Sequence, residues 1–374
     1  MDNENLIPKL ALALIPGIGA GTARSLMARC ENAESVFSLK KRDLITIPGI
    51  GTQLADRILS PDVITRAEQE IRFLQKEKIE AHFLFDPDYP PALSQCTDAP
   101  IVIFSRGEMP QPGRRTLSIV GTRNPTSQGK QFTRNLVSEI AARDPTVIIV
   151  SGLAYGIDIQ AHQAALDCGL MTIAVLGHGF HTLYPAVHRS TASRIINQGG
   201  LISDFFSYNL PEPKNFIRRN RIIAGLSEAT LVIESGIKGG AMVTAEMAGS
   251  YDRDVFAVPG RPDDPMSAGC NFMIRTNQAC LINNAGELMY SEGWIQGDRA
   301  VTVPQPDLFI SLSEEEKQIL DKITTEPILL DQVSRLVKIP VQLVSAHLLS
   351  LEFKGLIKSI PGQQYSRQIR NRLL

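Results

Sequence analysis

Between Leu117 and Ile282, short runs of apolar and often β-branched residues alternate with longer stretches in which apolar residues recur every three or four positions. The short runs are Leu117–Val120, Val147–Val150, Thr172–Leu176, Leu201–Ser203, Thr230–Glu234 and Val255–Val258. Apolar strands separated by amphipathic helices are typical of a parallel sheet that helices cover on both faces. We therefore predict a Rossmann-like α/β domain with a doubly wound, mainly parallel sheet over residues 76–300. Ligands of such sheets bind beyond the carboxyl ends of the strands.

The first 75 residues have a helical pattern that contains an internal repeat. Ile15-Pro-Gly-Ile-Gly19 recurs as Ile47-Pro-Gly-Ile-Gly51 at an offset of 32 residues. Each copy lies between stretches with helical spacing, which predicts a SAM-like helical domain with two helix-hairpin-helix motifs over residues 1–75. Such hairpins offer backbone N–H groups to a phosphate. Because these tips lack Lys and Arg, a tight turn in a packing module is an equal alternative.

The last part of the chain has the pattern of a small separate domain. Residues Thr302–Asp307 contain two prolines and predict a linker. Helical spacing over Leu312–Ile323, Ile328–Leu336 and Val341–Leu351, followed by a β-wing at Gly355–Tyr365, predicts a winged helix over residues 308–374. The expected recognition helix, Val341–Leu351, carries no Lys or Arg. A protein partner on the winged helix is therefore as well supported as DNA reading.

Composition and charge narrow the class of protein. The chain has 43% hydrophobic and 21% charged residues, which excludes a disordered chain. Its net charge of −1 hides a basic centre, because residues 113–221 carry 12 Lys and Arg against 6 Asp and Glu. A basic centre favours an anionic partner. The five Cys have no metal-binding spacing, which favours reduced and mostly buried thiols. No signal peptide or membrane span is recognisable, so we expect a cytoplasmic protein.

The first two predicted strands end in loops that suit phosphate better than a dinucleotide. Arg123 follows the first strand, and Gly152 and Gly156 follow the second. No G-x-G-x-x-G fingerprint or Walker lysine motif is present, so we expect neither NAD binding nor ATP hydrolysis and predict no cofactor. Glycines at strand ends that open helices create concavities of backbone N–H groups. Tight-turn geometry alone is the alternative for both glycines.

A dense basic cluster precedes the fifth predicted strand. It consists of Lys214, Phe216, Arg218, Arg219, Asn220 and Arg221. Arginines donate paired hydrogen bonds to phosphate, and a neighbouring Phe offers a stacking face that accepts any base. A solvated helix face is the alternative. Because the cations are concentrated within eight residues and follow Pro211 and Pro213, the pattern favours nucleic-acid binding.

Several long motifs, in fixed order from about Phe83 to Ile282, closely resemble the DNA-processing protein A family (DprA, also called Smf). They are Ser118-Ile-Val-Gly-Thr-Arg123, Ser151-Gly-Leu-Ala-Tyr-Gly-Ile-Asp158 with Ala161-His162, Leu176-Gly-His-Gly179 with Tyr184-Pro185, Asn215-Phe-Ile-Arg-Arg-Asn-Arg-Ile-Ile-Ala-Gly-Leu-Ser227, and Val255-Phe-Ala-Val-Pro-Gly260 with Gly269-Cys-Asn271. The helical module and the winged helix also occur in that family.

The resemblance implies a recombination mediator without catalytic residues. Such a protein is a homodimer that binds single-stranded DNA without sequence specificity and loads the RecA recombinase in natural transformation. By motif, Arg123 and the arginines at 218, 219 and 221 would hold phosphates, Phe216 would stack a base, and the loop of Gly152 and Gly156 would approach the strand. Asn220 lies within that motif cluster, whereas Lys214 is placed by charge and proximity. Where the family has Ser-Gly-Ser-Leu, this chain has Gly239-Gly240-Ala-Met242. From this loop, only the backbone amides of Gly239 and Gly240 would then be available to contact DNA, because the hydroxyl groups are missing.

Two other site chemistries compete with this interpretation. The stretch Glu234–Glu246 is loosely similar to the phosphate loop of nucleoside-monophosphate phosphoribohydrolases, with Glu246 and Arg221 as the groups that would act on a ribosyl centre. His178, His181 and His188 invite a metal interpretation, although no Cys accompanies them and Asp204 is the nearest downstream carboxylate. We expect Glu246 to be a structural helix residue and predict no metal.

Overall fold

The computed structural model describes residues 3–295, 312–324, 326–354, 356–360, 362 and 364–367. They form two compact units, divided near Gly297. The predicted linker Thr302–Asp307 and the domain boundaries at 300 and 308 lie outside the described residues.

A nine-stranded sheet organises the first unit. Its strands are β1 (Glu80–Phe83), β2 (Val102–Gly107), β3 (Thr116–Gly121), β4 (Ile148–Ser151), β5 (Thr172–Val175), β6 (Gly199–Ser203), β7 (Ala229–Ile233), β8 (Asp254–Ala257) and β9 (Cys280–Leu281). The strand order is β1-β2-β6-β5-β4-β3-β7-β8-β9. All pairs from β6 to β9 are parallel, and β2 adds to β6, and β1 to β2, in antiparallel fashion. All six predicted strands are present, and β1, β2 and β9 extend the sheet beyond them.

Helices cover both faces of this sheet. In chain order, all the helices of the first unit are α1 (Asn3–Leu14), α2 (Ala20–Arg29), α3 (Ala33–Phe37), α4 (Lys41–Ile45), α5 (Thr52–Ile58), α6 (Asp62–Glu77), α7 (Pro91–Ser94), α8 (Ser127–Arg143), α9 (Ile157–Asp167), the 3₁₀ turn Ala186–His188, α10 (Arg189–Gln198), α11 (Pro213–Leu226), α12 (Gly240–Ser250), α13 (Ala268–Arg275) and α14 (Ala285–Ser291). One core packs α8, α9 and α14 on the sheet, and a second packs α11, α12 and α13. The predicted Rossmann-like doubly wound fold is confirmed.

The chain order of the strands creates a crevice. From β3 the chain passes through β4, β5 and β6 in one direction, and then returns to place β7 on the other side of β3. The loops after β3 and β7 therefore diverge, which is where open α/β sheets bind ligands.

The N-terminal repeat forms two hairpins as its pattern predicts. Pro16–Gly19 joins α1 to α2, and Pro48–Gly51 joins α4 to α5. Gly17 and Gly49 occupy the tips with φ of +99° and +87°, which favours glycine. The helices share one apolar core with Phe83, Ile101 and Phe104, so this module packs continuously onto β1 and β2.

The second unit is a winged helix. Its elements are α15 (Glu314–Lys322), β10 (Ile328–Leu329), α16 (Leu330–Val337), α17 (Val341–Phe353), β11 (Ile357–Ile360) and β12 (Gln364–Arg367). The three strands pair in the order β10-β12-β11, and the helices pack around Ile319, Val344 and Leu348. Leu343, Leu349 and Phe353 of α17 are exposed. Among the described residues, no single helix is long and apolar enough to cross a membrane; α16 and α17 pass that test only together, at a bend of 108°.

Candidate nucleic-acid interface

A cleft of about 590 Å³ lies at the carboxyl ends of β3 and β7. We call it the switch-point cleft. It is lined by the loop Gly121–Arg123 after β3, by Ala154 and Asp158 beyond β4, by the Ser235–Gly240 loop after β7, and by one face of α11. The position is the one that the strand order dictates, and it brings together residues as far apart in the sequence as Val120 and Thr244.

An exposed cation and an aromatic ring meet inside this cleft. The guanidinium of Arg123 lies 5.9 Å from the ring centroid of Phe216, and the ring of Tyr184 lies 5.5 Å from the same ring on another side. Phe216 is half-buried, while Arg123 is exposed. The Phe216 ring occupies the space beside Gly177, where a Cβ atom would approach it to 2.6 Å. Arg123 and Phe216 therefore lie together in the cleft, with the guanidinium exposed and the ring partly exposed to a ligand.

Arg219 serves a different purpose from Arg123. It is 3% exposed and donates to the carbonyl oxygens of Gly152, at 2.6 Å, and Val175. Burial lowers the pKa of its guanidinium to about 10, and the opposite charge of Asp158 counteracts that shift. Burial in turn raises the pKa of the Asp158 carboxyl, which Arg219 opposes. Arg219 thus ties together the ends of β4 and β5, and the expectation that it holds a phosphate directly does not match this placement.

The two loop glycines of the second motif lie where a side chain would clash with its surroundings. Gly152 is buried against Arg219, whose guanidinium nitrogens would lie 2.5 Å from a Cβ atom at this position. Gly156 has a φ of +85°, and a Cβ atom there would lie 2.1 Å from the carbonyl oxygen of Thr122. The tight-turn geometry that was the alternative is therefore present at Gly156, whereas Gly152 makes room for the Arg219 side chain. The backbone of Gly156 also packs closely against Thr122 and Arg123, so this glycine helps to position the loop that carries Arg123.

Gly239 and Gly240 form the start of α12 at the edge of the cleft. Gly239 is the N-terminal cap residue and supplies no side-chain cap to the helix. Nothing lies within 4 Å of a Cβ atom built on Gly240. Asn220 lies against this turn and donates to the carbonyl oxygen of Gly240 at 3.4 Å, while its own oxygen accepts from Arg219. The first N–H groups of α12 are thus positioned at the positive end of the helix dipole, where anions bind.

The basic cluster is divided between two faces of α11. Phe216, Arg219 and Asn220 line the switch-point cleft, whereas Lys214, Arg218 and Arg221 line a second cleft of about 570 Å³. The second cleft, which we call the hairpin cleft, is closed on its other side by the Pro16–Ala20 hairpin. The sequence pattern predicts one surface for the cluster. The structure corrects this prediction, because α11 presents the cluster to two different clefts.

The cations in the hairpin cleft already have carboxylate partners. The buried carboxylate of Asp204 accepts from Arg218 at 2.9 Å and from Arg221 at 2.6 Å. Lys214 is exposed and pairs with Glu212 at 2.9 Å. Sequence reasoning did not assign a role to Asp204 or Asp158, because a carboxylate that is far along the chain gives no local signal of its partner.

The residues behind the competing interpretations have structural partners. His178 donates from Nδ1 to the carbonyl oxygen of Gly179 and accepts the N–H of Tyr184, and His188 bonds the carbonyl oxygen of Leu153. Among the residues that the structure describes, no group of three or more His, Cys, Asp or Glu could hold a metal ion. Glu246 is exposed on α12 and does not line the switch-point cleft, and Arg221 faces the other cleft. The two groups that a ribosyl hydrolase would need are therefore apart. Of the cysteines, Cys30, Cys96 and Cys270 are buried and Cys168 and Cys280 are exposed, and all five are free.

Comparison with known proteins gives a consistent picture over nearly the whole chain. Residues 80–292 match the family model for DNA recombination-mediator protein A, and residues 303–363 match the DprA winged helix domain. The chain is 32% identical to the Smf protein of Synechocystis, over 98% of this chain and 100% of that protein.

The similar solved structures include two with the same protein name. DNA processing protein A from Streptococcus pneumoniae has a TM-score of 0.62 at 28% identity, covering 78% of this chain and 98% of its own. The protein of the same name from Helicobacter pylori, whose structure concerns its single-stranded DNA binding mode, has a TM-score of 0.52 at 27% identity, covering 57% of this chain and 95% of its own.

Proposed function

Because this chain belongs to the DNA recombination-mediator protein A family, we propose that it binds single-stranded DNA without base specificity in the switch-point cleft and loads RecA onto that strand. The observation that carries the proposal is the contact of an exposed guanidinium, Arg123, with the partly exposed ring of Phe216, in a cleft that also contains the uncapped start of α12. In keeping with the family resemblance, the protein would act as a homodimer in natural transformation. It would bind the strand without making or breaking a covalent bond.

The chemistry of the cleft suits an unpaired strand. Arg123 and the N–H groups at Gly239 and Gly240 bind phosphate oxygens, which carry no sequence information. Phe216 stacks a base, and every base has a stacking face, so this contact tolerates any sequence. In a duplex the bases are stacked on each other and paired. A ring at the floor of a cleft therefore selects a strand whose bases are free.

The remaining cations contribute less directly. Arg219 positions Gly152 and the end of β5, and Asn220 positions the first turn of α12. Lys214, Arg218 and Arg221 add positive charge near the cleft, but Asp204 and Glu212 already pair with them. We therefore assign the phosphate contact in the cleft to Arg123 among the arginines of the predicted site.

Fluorescence anisotropy of labelled oligo(dT) and of a matched duplex, over a salt series, tests the proposal. We expect preferential binding of the single strand, with an affinity that falls linearly in log salt. RecA filament formation on the same strand, with and without this protein, tests the loading step. Lack of oligo(dT) binding at low salt contradicts the proposal; binding without any effect on RecA restricts it to strand binding.

Arg123→Ala should weaken binding of all single strands to a similar extent. Removing one phosphate contact lowers the salt slope by about 0.7 for a single strand. The measurement is the salt series with oligo(dT) and oligo(dA). Arg143→Ala is the matched control, because Arg143 is also exposed but ends α8, at the opposite edge of the sheet. An unchanged slope for Arg123→Ala, or equal slopes for both variants, contradicts the assignment.

Phe216→Leu should weaken binding by about 1–3 kcal/mol without changing the salt slope. Leucine keeps apolar volume beside Gly177 and Tyr184, but it has no flat face for a base. Stacking releases no counterions, so only the intercept of the salt series should move. The comparison with Arg123→Ala therefore separates the two contacts. A Phe216→Leu variant that loses slope rather than intercept would show that the ring acts by positioning Arg123.

A further inference from the structure

Tyr184 and Tyr155 present half-exposed rings next to the switch-point cleft. Tyr184 lines the cleft and is 45% exposed, although its ring also packs on Phe216. Tyr155 is 46% exposed and follows Ala154, which lines the same cleft. Its ring packs on His188, 5.1 Å between centroids, and His188 lies four residues after Tyr184. Neither ring belongs to the contacts assigned so far.

The backbone around both tyrosines is held in place by buried histidines. His178 accepts the N–H of Tyr184 at 3.1 Å, and burial lowers the pKa of its imidazole, which keeps the accepting nitrogen unprotonated. His188 bonds the carbonyl oxygen of Leu153 at 2.8 Å, which links the loop after β4 to the loop after β5. These hydrogen bonds therefore fix the backbone segments that carry the exposed rings of Tyr184 and Tyr155.

The order of the strands places these rings in line with the phosphate contacts. The start of α12 follows β7, Arg123 follows β3, Tyr155 follows β4 and Tyr184 follows β5, and these four strands are neighbours in the order β7-β3-β4-β5. Strands are spaced by about 4.8 Å, so this edge is roughly 14 Å long. That is several times the stacking distance of about 3.4 Å between bases. The edge accommodates more than the one nucleotide that Phe216 binds.

We propose that the bound strand continues from Arg123 and Phe216 along this edge and stacks its next bases on Tyr155 and Tyr184. The exposed Arg189, which directly follows His188, would meet a phosphate at the outer end. This inference rests on the proposed function and adds an extended, aromatic exit path for the same ligand. The occupant is a single strand rather than a protein surface, because the path continues from the Arg123 and Phe216 contacts and consists of aromatic rings next to cations.

The test is the affinity of the full chain for oligo(dT) of increasing length, from about 4 to 16 nucleotides, the range of site sizes for such proteins. In the parent, affinity should rise as the strand reaches the tyrosines. Tyr184→Leu and Tyr155→Leu should each weaken binding of the longer strands by about five-fold or more and reduce this rise. Tyr184→Phe keeps the ring and should bind as the parent does. Tyr290→Leu is the control, because Tyr290 is 63% exposed but lies on α14.

A Tyr184→Trp variant gives a second readout that a folding defect does not imitate. A stacked base should quench its fluorescence, and native Trp294 is 7% exposed and adds a constant background. One outcome contradicts the exit path and leaves the proposed function standing: Tyr184→Leu binds each strand length with the same affinity as the parent, while Phe216→Leu binds weakly. If the parent fails to bind any oligo(dT), the proposed function itself has failed.

Discussion

Arg219→Ala should lower the free energy of unfolding by about 3–5 kcal/mol, whereas Arg218→Ala should change it by no more than about 1 kcal/mol. The two arginines are adjacent in the sequence and carry the same charge. Arg219 is buried, and its loss leaves the carbonyl oxygens of Gly152 and Val175 without their donor and removes the positive charge that favours the buried Asp158 carboxylate. The side chain of Arg218 is 55% exposed, and Arg221 remains as a partner of Asp204 when Arg218 is removed.

Urea unfolding of the two single variants and the parent measures this difference. Arg219 and Asp158 act on each other through their opposite buried charges. Removing both charges is less damaging than removing one, because no buried charge is left uncompensated. Arg219→Met combined with Asp158→Asn should therefore recover part of the stability that Arg219→Met alone loses. Equal losses for Arg218→Ala and Arg219→Ala, or no coupling between positions 158 and 219, would contradict the structural role. So would an unchanged stability with a reduced salt slope for DNA binding, since that is the signature of a phosphate contact.

The division of the basic cluster was available in the sequence. A helix advances 100° per residue, so positions 216, 219, 220 and 223 lie on one face, while 214, 218 and 221 lie on the opposite face. The structure places these two sets in the two clefts. The density of these residues along the chain predicts a single surface, whereas the helical period predicts two. The partners Asp158 and Asp204 could not be assigned in the same way, because they reach α11 only through the folded sheet.

The fold was predictable where strands are buried on both faces. Runs such as Val147–Val150 are apolar throughout because helices cover both sides of β4, and the run itself is the signal. Strand β1 gives a weaker signal, since it has four residues that include Glu80 and the buried polar His82. His82 is accommodated by hydrogen bonds to Asp88 and Ser105, which come from separate segments. The antiparallel edge depends on such long-range pairings, which local patterns do not encode.

The positions of the site loops followed from topology, but their roles did not. Strand-end residues were expected to line a crevice, and Arg123, Phe216 and the start of α12 do so. Tyr184 lies in a motif that the sequence analysis quoted, yet its role depends on packing against Phe216 from a loop 32 residues earlier in the chain. Aromatic residues carry no sign of whether a face is open to solvent. Exposure, which only the fold determines, separates a stacking platform from a core residue.

Gly156→Ala and Gly240→Ala should have opposite effects on stability, although both glycines lie at the start of a helix, Gly156 as the cap of α9 and Gly240 as the first residue of α12. At Gly156 the backbone has φ +85° and ψ −126°, and a Cβ atom would lie 2.1 Å from the carbonyl oxygen of Thr122 and 2.6 Å from the Cα atom of Arg123. Backbone strain alone costs about 1–3 kcal/mol, and the clash with main-chain atoms adds to it, so we expect a loss of about 3 kcal/mol or more. The segment that carries Arg123 must shift, and DNA binding should fall as well.

At Gly240 a Cβ atom meets nothing within 4 Å, and alanine favours a helix by up to about 1 kcal/mol over glycine. Gly240→Ala should therefore fold at least as stably as the parent. Its methyl group stands beside the N–H groups to which we assign a phosphate, so oligo(dT) affinity should fall while stability does not. Thermal unfolding and anisotropy on the same preparations measure both quantities. A Gly240→Ala variant that binds like the parent would remove the start of α12 from the interface, and a stable Gly156→Ala variant would mean that the loop tolerates a side chain where the backbone leaves no room for one.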